Sequence, residues 1–192
     1  MTDQDLIKLY LKGDTGAFNT LVRRYHKPIY NYLLKLTGSR ADADDLAQQV
    51  MIRCHKSLKR LKDHDRFGPW LYRIAANITK DHWRSRKDMV SFDNDSGEGK
   101  SYDEVLISED DPYQRTAQKD QADLLRKALL KLPVEQREVL TLKIYQGLKF
   151  TEIAEAVDAP LNTVKSRLYY GLSAMKKTLI SWNIEELNHR MV

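Results

Sequence analysis

The chain has 192 residues, 42% of them hydrophobic, and carries 32 Lys and Arg against 27 Asp and Glu, a formal net charge of +5. This is enough apolar content for one ordinary domain or two small ones, and it excludes wholesale disorder. A single cysteine, Cys54, excludes an internal disulfide framework and a multi-cysteine zinc site, and fits a reducing compartment.

The N-terminal run Met1-Thr2-Asp3-Gln4-Asp5 lacks the basic-then-apolar pattern of a secretory signal. No apolar stretch approaches the ~18–20 residues that span a bilayer. The expectation is a cytoplasmic protein with no membrane insertion of its own. A short helix is predicted from Asp3 to Lys12, stopped by Gly13. Over 15–36, Phe18, Leu21, Val22, Tyr25, Ile29, Leu33 and Leu36 recur at three- and four-residue intervals, the stripe of a core-facing helix. Pro28 lies inside it and should kink or divide it. From Ser39 to Leu61 a third helix opens on Asp42, Asp44 and Asp45, acids well placed against the helix dipole, with Leu46, Val50, Cys54 and Leu58 inward. A fourth begins at Pro69 and turns Leu71, Ile74, Ala75 and Ile78 inward.

Residues 91–118 break this pattern. They are rich in Ser, Asp and Gly, and 93–112 hold eight acids against one base, Lys100. The segment reads as an extended or mobile connector. Beyond it, Gln118 to Leu132 places Leu125, Ala128, Leu129 and Leu132 on one side, and Pro133 ends that helix and starts the next. That next helix turns Val139, Leu140 and Ile144 inward and stops at Gly147. A short helix over 151–157, the turn Asp158-Ala159-Pro160 and a helix from Asn162 to Leu179 complete the chain, with the tail 181–192 after them. No strand-like alternation of useful length occurs. The fold class expected is all-α: two small helical bundles, 1–90 and 119–180, joined by a flexible acidic linker.

Charge is distributed in blocks. Lys80, Arg84, Arg86 and Lys87 precede the acidic linker, and 160–178 contain Lys165, Arg167, Lys176 and Lys177 with no acid. Two basic segments flanking an acidic spacer suit two separate contacts with a polyanion. The pair 151–157 and 162–179 has the form of a helix-turn-helix. In its second helix Val164, Leu168, Leu172, Met175 and Leu179 mark the inward line, which leaves Thr163, Lys165, Ser166, Arg167, Tyr169 and Tyr170 for base edges and phosphates. Asn162 is a good N-cap type for the helix start.

No catalytic constellation is present. The five histidines are scattered, the neighbours Cys54 and His55 point to different helix faces, and no Gly-rich phosphate loop occurs. The expectation is therefore a protein that is not an enzyme and carries no metal or other cofactor.

Glu152-Ile153-Ala154 followed by Pro160-Leu161-Asn162-Thr163-Val164-Lys165-Ser166-Arg167-Leu168 resembles region 4.2 of bacterial RNA polymerase sigma factors of the extracytoplasmic-function type. Leu132-Pro133-Val134-Glu135-Gln136-Arg137-Glu138-Val139 resembles region 4.1. Ala43-Asp44-Asp45-Leu46-Ala47-Gln48-Gln49-Val50 resembles region 2.2, and Phe67-Gly68-Pro69-Trp70-Leu71-Tyr72-Arg73-Ile74-Ala75-Ala76-Asn77 resembles regions 2.3 and 2.4.

The resemblance implies a dissociable subunit that leads core RNA polymerase to promoters, for a stress, envelope or metal response. It implies docking on the β′ clamp helices through Asp45, Leu46, Gln48, Gln49 and Arg53, a β-flap contact for region 4, and an anti-sigma partner. It assigns minus-10 recognition and melting to Lys62, His64, Arg66, Asn77, Lys80, Arg84 and Arg86. Minus-35 recognition falls to Thr163, Lys165, Ser166, Arg167, Tyr169 and Tyr170. Trp70 is expected in the core, and Trp83 is open to either packing or base stacking. The rival reading is a stand-alone helix-turn-helix regulator with an N-terminal sensor bundle.

Overall fold

The computed structural model describes residues 1–92 and 117–190, with side chains placed over 1–86 and 121–182. The expected mobility of the linker falls mostly on 93–116, outside the described residues. Every regular element among the described residues is helical.

Helix α1 (Asp3–Leu11) is started by a capping box in which Thr2 and Asp5 exchange side-chain-to-backbone hydrogen bonds. Helix α2 (Thr15–Thr37) is capped by Asp14 and ends at Gly38, whose φ of +72° is the left-handed geometry that closes a helix. Of the two outcomes expected for Pro28, a kink or a division, the division does not occur: α2 runs unbroken from Thr15 to Thr37. Ile29, Tyr32, Leu33 and Leu36 come after Pro28 and are all fully buried. At about 1.5–3 kcal/mol for each such side chain, their packing outweighs the ~3 kcal/mol that an internal proline costs.

Helix α3 (Arg40–Ser57), capped by Ser39, buries the predicted line Leu46, Val50 and Cys54, with Leu58 in the short 3-10 turn next to it. Helix α4 (Phe67–Phe92) begins two residues ahead of Pro69 and buries Phe67, Leu71, Tyr72 and Ala75.

The C-terminal bundle consists of α5 (Ala117–Leu130), α6 (Val134–Leu140), α7 (Phe150–Val157) and α8 (Leu161–Arg190). Three residues expected inside it are exposed. A π-helical turn, Thr141–Tyr145, continues α6, and the extra residue in that turn rotates the succeeding side chains about the axis. Leu142 is therefore buried and Ile144 is 58% exposed. Along α8 the inward line runs Val164, Leu168, Gly171, Met175, so it passes through Gly171 and leaves Leu172 outside. Leu125 stands clear of the cluster formed by Ala128, Leu129, Leu132, Leu140 and Met175. The tail beyond Ser181 continues α8 to Arg190.

The two bundles share a buried core. It runs without a break from Leu6, Leu33 and Leu71 into Val139, Leu142, Ile153 and Val157. Across the seam, Tyr32 donates its hydroxyl to Glu138 at 3.3 Å and the Arg137 guanidinium donates to the Leu36 carbonyl. Tyr72 donates to Gln146, and the Lys35 ammonium sits 4.5 Å above the Tyr145 ring. A Cβ added at Gly38 would lie 3.1 Å from the Leu130 side chain, so the end of α2 meets the C-terminal bundle at a position where only glycine fits closely.

Candidate nucleic-acid and polymerase interfaces

The turn between α7 and α8 is shaped by Asp158, which closes α7 at a φ of +53° while its N–H bonds the Ala154 carbonyl. The Ala159 N–H reaches the same carbonyl at 3.0 Å. Ile153, Ala156, Val157 and Val164 are buried and fix the angle between the two helices. Helix α8 starts at Leu161, so Asn162 lies in its first turn rather than at the N-cap. On the outer face Lys165, Ser166, Tyr169 and Tyr170 are exposed, Tyr169 to 71%, and Thr163 is half-buried. Arg167 departs from this group. It is half-buried and lines the cleft against α4.

The second basic surface lies on α4 and the loop before it. Asn77, Lys80 and Arg84 stand three and four residues apart and so share one helix face. Asn77 and Arg84 are exposed, with Arg84 3.9 Å from Asp81. Lys80 is half-buried and donates to the Val157 carbonyl at 2.6 Å. Arg86 is paired with Asp42 at 2.9 Å, and Arg66 with Glu155 of α7 at 2.8 Å. Lys62 is exposed and His64 half-buried. Between them, Asp63 caps a 3-10 turn by accepting the Asp65 N–H, which gives that acid a local structural role. Trp70 packs toward the core beside Phe67, at 5.9 Å between ring centroids. Trp83 keeps its indole N–H buried and, among the described residues, without a hydrogen-bond partner.

Between α4 and the C-terminal bundle lies a cleft of about 760 Å³. Lys80, Trp83, Arg84 and Arg86 form one wall, and Val134, Glu138, Asp158 and Arg167 contribute to the other. Glu138 is only 4% exposed. Burial pushes its carboxyl up to about 7, against the opposing pull of Lys80, the Tyr32 hydroxyl and Arg167. Neither Glu138 nor the buried Arg137 stands out in the sequence, because charged side chains are normally expected outside.

The third surface is the polar face of α3. Asp45, Gln48, Gln49 and Arg53 are exposed. Leu46 is not. At 2% exposure it belongs to the core, because its spacing from Val50 and Cys54 keeps it on the inward line, and it supports the face from beneath. Ile52, 55% exposed, stands among these polar groups, seven residues from Asp45 and three from Gln49. That spacing is a sign, present in the sequence, of an apolar centre within a polar face. A groove of about 530 Å³ between α3 and α4 runs beside it, lined in part by Gln49, Ile52, Arg53, Ile78 and His82.

An all-helical chain with an outward-facing helix-turn-helix in one bundle and a second basic helix face in the other is built as a nucleic-acid-binding protein of the helix-turn-helix class. The Sigma-70 region 2 family model matches residues 21–88, and the Sigma-70 region 4 model matches 122–175. The chain is 32% identical to the ECF RNA polymerase sigma factor SigW of Bacillus subtilis, over 90% of this chain and 94% of that one. It is 29% identical to the RNA polymerase sigma-H factor of Pseudomonas aeruginosa, over 92% and 93%. It is also 29% identical to the ECF RNA polymerase sigma-E factor of Escherichia coli K12, over 91% and 93%. The fold is shared with the sigma factor RpoE solved in complex with the anti-sigma factor NepR from Bartonella quintana (TM-score 0.70, 18% identity, 84% of this chain and 96% of that one). It is shared as well with CnrH in complex with the cytosolic domain of CnrY (TM-score 0.66, 22% identity, 93% and 97%). The chain belongs to the sigma-70 family, among its extracytoplasmic-function members.

Proposed function

We propose that this chain is a dissociable sigma factor that binds core RNA polymerase and directs it to promoters for transcription initiation. The observation that carries the reading is the joint presence, in order on one chain, of a region 2 match and a region 4 match, the second holding an exposed helix-turn-helix. A stand-alone regulator would have no use for region 2.

The work divides between the surfaces. The exposed face of α8, with Thr163, Lys165, Ser166, Tyr169 and Tyr170, reads the minus-35 element in the major groove, hydroxyls and cations meeting base edges and phosphates. Arg167, at the border of that face, is the candidate contact that also lines the cleft against α4. The α4 face and its preceding loop, through Lys62, His64, Arg66, Asn77, Lys80, Arg84 and Arg86, hold the minus-10 element. Capturing unstacked bases there costs a few kcal/mol per step, offset by amide and cationic contacts. Asp45, Gln48, Gln49 and Arg53, around Ile52, dock on the β′ clamp helices. Region 4 meets the β flap. The chain performs no covalent chemistry of its own and acts in the cytoplasm.

The relatives' association with anti-sigma factors extends to this chain as a restraining partner, and the inducing condition is a stress, envelope or metal response. No helix among the described residues is long and apolar enough to cross a membrane.

The direct test is run-off transcription with purified core polymerase over a broad promoter library, with and without this chain. Promoter-specific transcripts that depend on the chain are expected. Their absence, or tight binding to duplex DNA as a dimer without polymerase, overturns the reading.

A further inference from the structure

The cleft beside α4 sorts its charges by wall. On α4, Lys80 and Arg84 stand four residues apart, with Trp83 beside them. Opposite, Glu138 lies buried on α6 and Arg167 enters from α8. The fold leaves much of this hydrogen-bonding capacity unspent. Lys80 gives one of its three N–H groups to the Val157 carbonyl and keeps two. Arg84 has only Asp81, at 3.9 Å on its own helix, and Arg167 has no hydrogen bond or ion pair among the described residues. The Glu138 carboxyl takes the Tyr32 hydroxyl on one oxygen and lies close enough to Lys80 and Arg167 to feel both charges.

A cation beside a carboxyl matches one nucleobase edge. Guanine presents an acceptor, O6, next to two donors, the ring N1–H and the 2-amino group, whereas adenine sets a donor next to an acceptor and would turn its amino group toward the ammonium. An indole ring suits a purine face, and guanidinium forks suit a phosphate. The volume of about 760 Å³ falls within the range of small-ligand pockets and gives room for one nucleotide rather than a strand. We propose that this cleft is a guanine nucleotide site, in which Lys80 and Glu138 read the base edge, Trp83 packs on the purine, and Arg84 and Arg167 hold the phosphate. The site is complete in the chain as it stands and calls for no rearrangement of the bundles. It goes beyond the sigma-factor reading and does not depend on it. Lys80, Arg84 and Arg167 are also proposed DNA contacts, so the two ligands share cations and exclude one another.

The test is NMR of the nitrogen-15-labelled full chain at pH 8, above the value of about 7 to which burial raises Glu138. Three indole N–H signals are available, from Trp70, Trp83 and Trp182, and the one lost in Trp83→Phe is thereby assigned. Guanosine 5′-monophosphate is expected to move the Trp83 signal saturably and to leave Trp182 in place. Adenosine 5′-monophosphate should need about tenfold more for the same shift. No saturable shift by about 10 mM of the guanine nucleotide overturns the site. An equal response to the adenine nucleotide or to inorganic phosphate does so too, by marking a general anion contact. The readout requires neither polymerase nor transcription, so it separates failure of this site from failure of the promoter reading.

Two variants assign the roles. Glu138→Gln replaces an all-acceptor carboxylate with an amide that both donates and accepts, so the preference for guanine over adenine should fall toward one. Arg84→Ala, at an exposed position, should weaken both nucleotides alike and keep their ratio. A guanine preference that persists unchanged in Glu138→Gln contradicts the base-reading role and overturns the assignment. A thymidine hexamer carrying one guanine serves as the strand control. If it moves the Trp83 signal at lower concentration than the mononucleotide, while the all-thymidine hexamer does not, the guanine belongs to a nucleic-acid strand and the nucleotide site is refuted.

Discussion

Tyr32 in α2 and Glu138 in α6 lie 106 residues apart in the chain, yet the hydroxyl of one donates to the carboxyl of the other at 3.3 Å inside the seam between the bundles. Both are buried, and burial raises the carboxyl to about 7 and drives the phenol well above its ordinary range. Glu138 is faced by Tyr32 from α2, by Lys80 from α4 and by Arg167 from α8, with Glu135 beside it on its own helix. Its native form binds a proton that the unfolded chain releases near pH 4.5, so the stability it contributes is full below that value and is lost as pH rises through about 7. Urea denaturation should therefore show stability falling between pH 5 and pH 8. Glu138→Gln should flatten that fall and be the more stable protein at pH 8. A parent whose midpoint is the same at both ends of this range would contradict the account.

Arg137 bridges three carbonyls, those of Leu130, Leu132 and Leu36, and so ties the α5–α6 turn to the end of α2. Arg137→Ala strands these acceptors in a buried site. A loss of about 2–4 kcal/mol is expected by chemical denaturation. Arg137→Lys should recover little of it, since one ammonium cannot reproduce the planar fork.

Gly38→Ala places a side chain at a φ of +72° and within 3.1 Å of Leu130. A destabilisation of about 1–2 kcal/mol is expected from the left-handed backbone and the contact together. The companion Gly13→Ala, at a φ of +107° with open space around it, should show a backbone cost alone.

Much of this architecture is written in local spacing. The four-residue rhythm of Leu46, Val50, Cys54 and Leu58 is that of a helix half sunk in a core, and it is what the structure contains. Capping residues at Asp14 and Ser39 mark their helix starts equally plainly. Legibility ends where long-range packing decides. Ile144 has an inward sequence position and an outward side chain because a π turn changes the phase. Pro28 sits in an unbroken helix because its successors are fully buried. The seam is hidden for a related reason: Arg137 and Glu138 look like surface residues until the second bundle covers them. The exposed face of α8 is legible because it is what remains once the apolar line of one helix is assigned. The sequence reading groups Arg167 with that face, yet it stands three residues from Val164 and four from Gly171, which turns it toward the inward line and the cleft that α4 also lines.

The first turns of α8, proposed to read the minus-35 element, present one exposed cation, Lys165, among hydroxyl-bearing residues, with Lys176 and Lys177 exposed further along the helix. Binding of the holoenzyme to promoter duplex, measured as salt is varied, should give a slope that Lys165→Ala lowers by about one. Tyr169→Ala should weaken binding at every salt concentration and leave the slope unchanged. A slope that drops equally in both variants would refute this division of roles.

Ile52 offers an exposed apolar anchor in the polar face of α3 proposed to dock on polymerase. Ile52→Asp should lower affinity for core polymerase roughly tenfold, about 1.4 kcal/mol, measured by competition with a labelled parent chain. Its exposure means that the denaturation midpoint should scarcely move, whereas Leu46→Asp should unfold the bundle.

The thiol of Cys54 is 1% exposed, and burial pushes it up to about 12. It is inert to alkylating reagents for as long as α3 stays seated, because neither access nor thiolate is available. The rate at which it is modified is therefore a clock for transient opening of the N-terminal bundle, readable by mass spectrometry on the unaltered protein. Run with and without polymerase, that clock reports whether seating α3 on its partner also quiets the breathing of the bundle behind it.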